Sequence, residues 1–335
     1  MTGLLLAACL ALPPTAVSAA ARRPADDTLA ATFRREVGFL ASDALAGRQR
    51  GTEGGFAAAG YLVSELRRAG LQPFEGAYRH EFGRTQFKKK LGPAQWGYTQ
   101  PPTRMQNIYA ITRPPREGEK VIVVGAHYDH VGSGLKGGTR GPRGLVNNGA
   151  DDNASGTVVA LEVARAIMRR PLPSDARPVL VAFFDGEEAG LLGSQFLAKQ
   201  YPRRFAAMVN LDMVGAMKNN TVYVYGDATC SVFDKLPQLP EAAGLDLRLL
   251  QEHCVRSDHA PFFFRSVPYL FFHTGLHPRY HMPADDADLL NYDGLVRIAK
   301  LTEAVVRDLA TSDNPLTFDK AANDLPTVPS PPWQP

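Results

Sequence analysis

Val179-Leu180-Val181-Ala182-Phe183-Phe184-Asp185-Gly186-Glu187-Glu188 is an unbroken apolar run that ends in adjacent carboxylates. A short continuous apolar run closed by glycine reads as a strand buried on both faces, the kind found in parallel sheets. Paired glutamates at its carboxyl end are costly there. In a partly desolvated site, like charges resist ionising unless a cation lies between them or one of them holds a proton. The stretch therefore predicts a metal, a general base, or both.

The same arrangement recurs along the chain. Val121-Ile122-Val123-Val124 leads through Gly125-Ala126 to His127, with Tyr128 and Asp129 following; Met208-Val209-Asn210-Leu211 leads to Asp212; and Val267-Pro268-Tyr269-Leu270-Phe271-Phe272 leads, after a loop, to Tyr280-His281. Helical patterns at about 28–41, 55–69, 157–168 and 292–309 separate or flank these runs. An α/β fold follows, with a central sheet covered on both faces and a ligand crevice at the carboxyl ends of its strands. A fifth acid, Asp152, lies in Gly149-Ala150-Asp151-Asp152-Asn153-Ala154-Ser155-Gly156, the loop that opens the 157–168 helix.

Taken in order, these segments resemble the secreted zinc-dependent aminopeptidases with co-catalytic metals, the bacterial leucyl aminopeptidase type. Gly125-Ala126-His127-Tyr128-Asp129 is similar to that family's first-ligand motif and Asp152-Asn153-Ala154-Ser155-Gly156 to its bridging loop. Gly186-Glu187-Glu188 with Gly190-Leu191-Leu192-Gly193-Ser194 resembles the base-and-ligand segment, and Asn210-Leu211-Asp212-Met213 and Tyr280-His281 the last two ligand segments. The likeness runs from about residue 33 to about residue 309. It implies a mixed, mostly parallel sheet with helices on both faces, of zinc exopeptidase type.

The resemblance also implies two zinc ions per chain: His127 and Asp212 on one, Glu188 and His281 on the other, Asp152 between them. Nitrogen and carboxylate donors suit zinc, and three carboxylates against two divalent ions leave one positive charge for a bridging hydroxide to cancel. Glu187 is then the general base, Tyr280 a donor to the developing oxyanion, and Asp129 the acceptor that fixes the His127 tautomer. Asp258 and Asp285 fall on motifs that back the ligands. The Asp152-Asn153 peptide is expected to be cis.

Plainer readings compete. Asp152 precedes a helix and could simply cap it. His130, His259, His273 and His277 neighbour the motifs and are expected in structural or solvated roles. The glycine-rich loop from Gly132 to Gly144 lacks the Gly-Lys-Ser/Thr ending of a phosphate cradle.

At 335 residues, with 44% hydrophobic and 21% charged, the chain can bury a sizeable single core. A net charge of +3 gives no reason to expect nucleic acid, and Lys88-Lys89-Lys90 reads as a solvated loop. Residues 1–20 resemble a secretory signal peptide: an apolar segment at 4–12, then Pro13-Pro14, then small residues ending near Ala19 or Ala20. Leu6-Ala7-Ala8-Cys9 also offers a lipid-anchor alternative. Beyond Cys9 only Cys230 and Cys254 remain, so one disulfide is allowed in an oxidising compartment. Residues 21–311 form one peptidase domain, with no room for an inserted lid between His127 and Asp152. Residues 312–335, rich in proline, are expected to be a flexible tail or a surface strap.

The expectation is a secreted or periplasmic monomeric aminopeptidase, without a membrane span, acting on peptides with a free N-terminus and apolar side chains. The alternatives are a carboxypeptidase or dipeptidase at the same site, a single-zinc acyltransferase of the glutaminyl cyclase type, and a non-catalytic binding domain.

Overall fold

Residue parity along each strand decides where its side chains go. In the computed structural model, which describes residues 24–83 and 104–334, Ile122 and Val124 face one apolar cluster while Val121 and Val123 face another. Val179, Val181 and Phe183 likewise oppose Leu180, Ala182 and Phe184 across the sheet. With side chains alternating between faces, a strand buried on both must be apolar at every position, hence the continuous runs.

Among the described residues the main sheet has nine strands: β1 (Gln72–Pro73), β2 (Arg79–Gly83), β3 (Arg104–Ile111), β4 (Val121–His127), β5 (Val179–Phe184), β6 (Phe205–Leu211), β7 (Thr221–Tyr225), β8 (Asp246–Leu250) and, after the short β9 (His253–Cys254), β10 (Tyr269–His273). Its order is β1-β3-β5-β4-β6-β10-β7-β8, with β2 also paired to β3. The four central strands β5, β4, β6 and β10 run parallel, while β3 and β7 join them antiparallel. The sheet is therefore mixed with a parallel centre, and four adjacent carboxyl ends open on one side.

One face is covered by α1 (Pro24–Leu40), α2 (Glu53–Arg68), α3 (Gly156–Arg169) and α6 (Tyr292–Thr311). The other carries α4 (Leu192–Gln200), through Leu197 and Ala198, and the four-residue α5 (Ala260–Phe263), through Phe262. Thr52 caps α2 by accepting from the Gly55 N–H, and Asn291 caps α6 by accepting from Gly294. Each fully buried Val, Leu or Phe contributes about 1.5–3 kcal/mol by leaving water.

Residues after Ser312, for which a flexible tail or a strap was open, run as a strap. β11 (Thr327–Val328) pairs in parallel with β9, and Leu276 exchanges two main-chain hydrogen bonds with Pro332 and Gln334 at 2.7 Å each. Cys230 and Cys254 are free buried thiols. They lie in the apolar clusters on opposite faces of the sheet, so the allowed disulfide is not made. The apolar segment at 4–12, Cys9, the lysine triple at 88–90 and Pro101-Pro102 lie outside the described residues. Among the described residues, no helix is long and apolar enough to cross a membrane.

Candidate metal centre

The carboxyl ends of the parallel strands deliver the expected ligands. His127 is the last residue of β4, Asp212 follows β6, and Glu187-Glu188 lie one turn past β5. His281 comes from the loop after β10, and Asp152 from the loop before α3. The Asp152-Asn153 peptide is cis, as expected. Asn153 ties this loop to the end of β6, donating to the Leu211 carbonyl and accepting from the Met213 N–H.

Asp152 sits in the middle. Its Oδ1 is 3.3 Å from His127 Nε2 and its Oδ2 is 2.9 Å from His281 Nε2. On one side His127 Nε2 is 3.4 Å from Asp212 Oδ1; on the other His281 Nε2 is 3.2 Å from Glu188 Oε1. One carboxylate thus faces two histidine–carboxylate pairs, one oxygen to each. All five expected ligands meet in this arrangement, and helix capping does not account for Asp152, because Ser155 intervenes before α3.

Supporting contacts hold the ligands from behind. Asn210 donates to the Ser257 hydroxyl, which donates in turn to Asp212 Oδ2 at 2.7 Å. His281 Nδ1 meets the Gly138 carbonyl at 2.7 Å, so the glycine-rich loop orients a ligand rather than a phosphate. The Asp285 carboxylate accepts from the N–H groups of Asp151 and Asp152 at 3.0–3.1 Å. Asp258 is fully buried, and burial pushes its carboxyl up to about 7.

Asp129 requires a correction. Its main-chain carbonyl, not its carboxylate, meets His127 Nδ1 at 3.1 Å; the carboxylate stands 3.8 Å away. The carboxylate instead accepts the Glu187 N–H at 3.0 Å, so Asp129 meets His127 through its backbone and holds the Glu187 turn through its side chain.

Among the four histidines expected in structural roles, His277 pairs with Asp151 at 3.0 Å, His259 stacks on Tyr269 and Phe271, and His273 accepts from the Gly275 N–H. His130 differs. It is fully buried with Nδ1 2.9 Å from Glu188 Oε1, inside the cluster. Arg48, which the sequence did not single out, is also fully buried; it donates to the carbonyls of Leu40, Tyr128, Asn148 and Gly149 and clamps the loops that carry His127 and Asp152.

The donor set fits a divalent cation. Glu188 Oε1 and both ring nitrogens of His130 are buried without a hydrogen-bond partner, as groups that face an ion would be. Burial disfavours charge on Glu188, yet the His281 charge overcomes it and draws its carboxyl down to about 2; burial likewise opposes charge on His281, but Glu188 and Asp152 push its imidazole up to about 11. These carboxylates stay ionised only while cationic groups face them.

The centre opens into a cavity of about 680 Å³. Leu191, Met213, Phe271, Leu276 and Trp333 give it apolar wall, while Arg140, Arg256 and Tyr280 line it as well. The strap contributes Pro329, Ser330 and Pro331.

A model for peptidase family M28 matches residues 107–306, more than half of the chain and a span that holds all five expected ligands. Leucine aminopeptidase 1 of Grosmannia clavigera is 30% identical over 278 residues, which are 72% of this chain and 65% of that protein. The chain thus spans less than two thirds of the length of the curated relatives it matches. Among solved structures, BSAP, a zinc aminopeptidase from Bacillus subtilis, superposes with a TM-score of 0.67 at 20% identity, over 87% of this chain and 98% of that one. A glutaminyl cyclase of Porphyromonas gingivalis superposes with a TM-score of 0.61 at 21% identity, over 84% and 97%. At these identities the structural likeness establishes the fold, which both kinds of protein share.

Proposed function

The chain belongs to peptidase family M28, and from that premise we infer a zinc-dependent aminopeptidase that removes N-terminal residues from peptides. The observation that carries the reading is Asp152, which presents one carboxylate oxygen to the His127 pair and the other to the His281 pair. His127 and Asp212 would hold one ion, Glu188 and His281 the other, and Asp152 both. When bound, zinc supplies a Lewis acid that polarises the scissile carbonyl and lowers the pKa of water toward about 7. A single-zinc acyltransferase or a non-catalytic domain has no need of both complete halves.

Glu187 groups with His127 and Asp212. Burial, opposed by the His127 charge and reinforced by those of Glu188 and Asp258, pushes its carboxyl above the ordinary value, in the sense that favours proton uptake. It takes the proton of the attacking water and returns it to the leaving amine. Tyr280, whose phenol burial pushes far up, stays protonated and donates to the oxyanion.

The acidic floor favours the substrate's ammonium end and the apolar wall favours an apolar side chain. Arg140 and Arg256, which make no ion pair among the described residues, favour the carboxyl-ward part. Export rests on the sequence at 1–20: a mature chain beginning near Ala20 to Arg22 by intact mass supports it, and one that retains Met1 removes it.

Paired glutamate variants test the mechanism. Glu187→Gln should keep zinc and lose about 10²–10⁴-fold in kcat with little change in KM, whereas Glu188→Ala should lose zinc as well. Near-normal turnover of Glu187→Gln overturns the role of base. Cleavage of N-blocked but not C-blocked peptides by the wild type overturns aminopeptidase action.

A further inference from the structure

Five side chains account for the two expected zinc sites, yet a sixth stands among them. His130 follows β4 by three residues and is fully buried, and neither of its ring nitrogens has a hydrogen-bond partner. A buried imidazole without partners is expensive, because desolvation of each polar atom goes uncompensated. His259 is buried without partners too, but its ring stacks on Tyr269 and Phe271, whereas His130 stands beside carboxylates.

His130 Nδ1 lies 2.9 Å from Glu188 Oε1 and 3.9 Å from Asp152 Oδ2, and the His281 ring stands edge-on at 5.5 Å between centroids. One donor atom each from His130, Asp152, Glu188 and His281 falls within 4.8 Å of all the others. The closest pair is not a hydrogen bond, since His130 Nδ1 and Glu188 Oε1 both remain without a partner at 2.9 Å. Two lone-pair-bearing atoms so close without hydrogen-bond geometry are arranged as ligands of a common ion, each about 2.0–2.2 Å from it.

The surroundings hold the ring in this pose. Gly149, at φ +62°, passes so near that a Cβ there would sit 2.5 Å from the His130 ring. Only glycine tolerates both that backbone and that approach. The Gly149 carbonyl is in turn held by Arg48 at 2.9 Å.

We propose that His130 is a protein ligand of the His281 zinc site, so that this half has four donors, His130, His281, Glu188 and Asp152, against three in the half of His127, Asp212 and Asp152. The inference rests on the dinuclear reading above and adds an asymmetry to it. A four-donor half binds its ion tightly, and a three-donor half keeps a position free for water and substrate. The first zinc to enter, and the last to leave, is the one beside His130.

Calorimetric zinc titration of the metal-free full chain tests this, with wild type beside His130→Phe, which fills the space without a donor atom. Wild type should bind two ions in two unequal steps, and the variant should lose about 10–100-fold in the tighter step alone. A crystal structure of zinc-loaded wild type supplies the reading that does not depend on the variant's folding: His130 Nδ1 should lie about 2.0–2.1 Å from zinc. Unchanged tight binding in a folded His130→Phe, or a nitrogen beyond about 3 Å from the ion, overturns the proposal while leaving the dinuclear reading intact. Failure of wild type to bind zinc at all overturns both.

Discussion

Arg48→Met is the perturbation whose cost can be worked most directly from the structure. Arg48 Nε donates to Tyr128 O at 2.9 Å, Nη1 to Leu40 O and Asn148 O at 2.6 Å, and Nη2 to Gly149 O at 2.9 Å. Burial draws its guanidinium down to about 10, so it stays charged at neutral pH. Methionine fills much of the volume and supplies no donor. Gly149 O keeps the Ala154 N–H at 3.2 Å, so three carbonyls lose their partner; at about 1–3 kcal/mol each they cost at least about 3 kcal/mol together. Relief of the buried charge offsets part of the sum, which leaves about 3–5 kcal/mol. A natural domain holds only about 5–15 kcal/mol in all.

Urea denaturation reads this cost. With a slope of about 3 kcal/mol per molar, the midpoint should fall by about 1–1.7 M. Arg48→Lys separates charge from geometry, because an ammonium restores the positive field but cannot reach four carbonyls in a planar fork. It should recover less than half of the loss. A midpoint shift below about 0.3 M for Arg48→Met, or full recovery by lysine, would refute the argument that the guanidinium acts as a clamp on the ligand loops.

Two further outcomes follow from single residues. Asp185 is buried with Oδ1 unpaired, and burial, followed by the charge of Asp129, pushes its carboxyl up to about 8. The folded state then holds more protons than the unfolded chain between about pH 4 and 8, so this group's contribution to stability is lost as pH rises through that window. Melting curves of the metal-free protein at pH 5 and pH 8 should differ less for Asp185→Asn than for wild type; parallel shifts would show that Asp185 is not the source. Arg140, whose guanidinium lies 4.9 Å from the Trp333 ring centroid, should steer the substrate's carboxylate. Arg140→Gln should raise KM for a dipeptide about fivefold or more and leave the dipeptide amide nearly unchanged, and equal effects on both would rule out carboxylate recognition.

What the sequence could show is set by how far apart the cooperating residues lie. The apolar runs at 121–124, 179–184 and 208–211 are local patterns, and strands buried on both faces need no distant information to be recognised. The expected ligands His127, Asp152, Glu188 and Asp212 stand at or just past a strand end or beside a helix start, so motif and element reinforce each other, while His281 lies in the loop between β10 and α6. Arg48 leaves no such trace: its acceptors are main-chain carbonyls, which every residue carries, and those of Tyr128, Asn148 and Gly149 lie 80, 100 and 101 positions away. His130 was visible beside the first motif, but its approach to Glu188 depends on the bare backbone of Gly149, nineteen residues on, and periodicity carries no record of that.

The sequence left the strap open beside a flexible tail for a related reason. Proline lacks an N–H and reads as a strand breaker, yet its carbonyl still accepts. His253 N donates to Pro326 O at 2.8 Å and Leu276 N to Pro332 O at 2.7 Å, so prolines anchor this segment through the one backbone group they retain. The anchoring places Pro329, Ser330, Pro331 and Trp333 on the wall of the cavity that contains the ligands. A stretch whose composition suggests a loose end therefore shapes the space that substrate must enter, held by the Pro326 and Pro332 carbonyls and by the Gln334 N–H, which donates to Leu276 O at 2.7 Å.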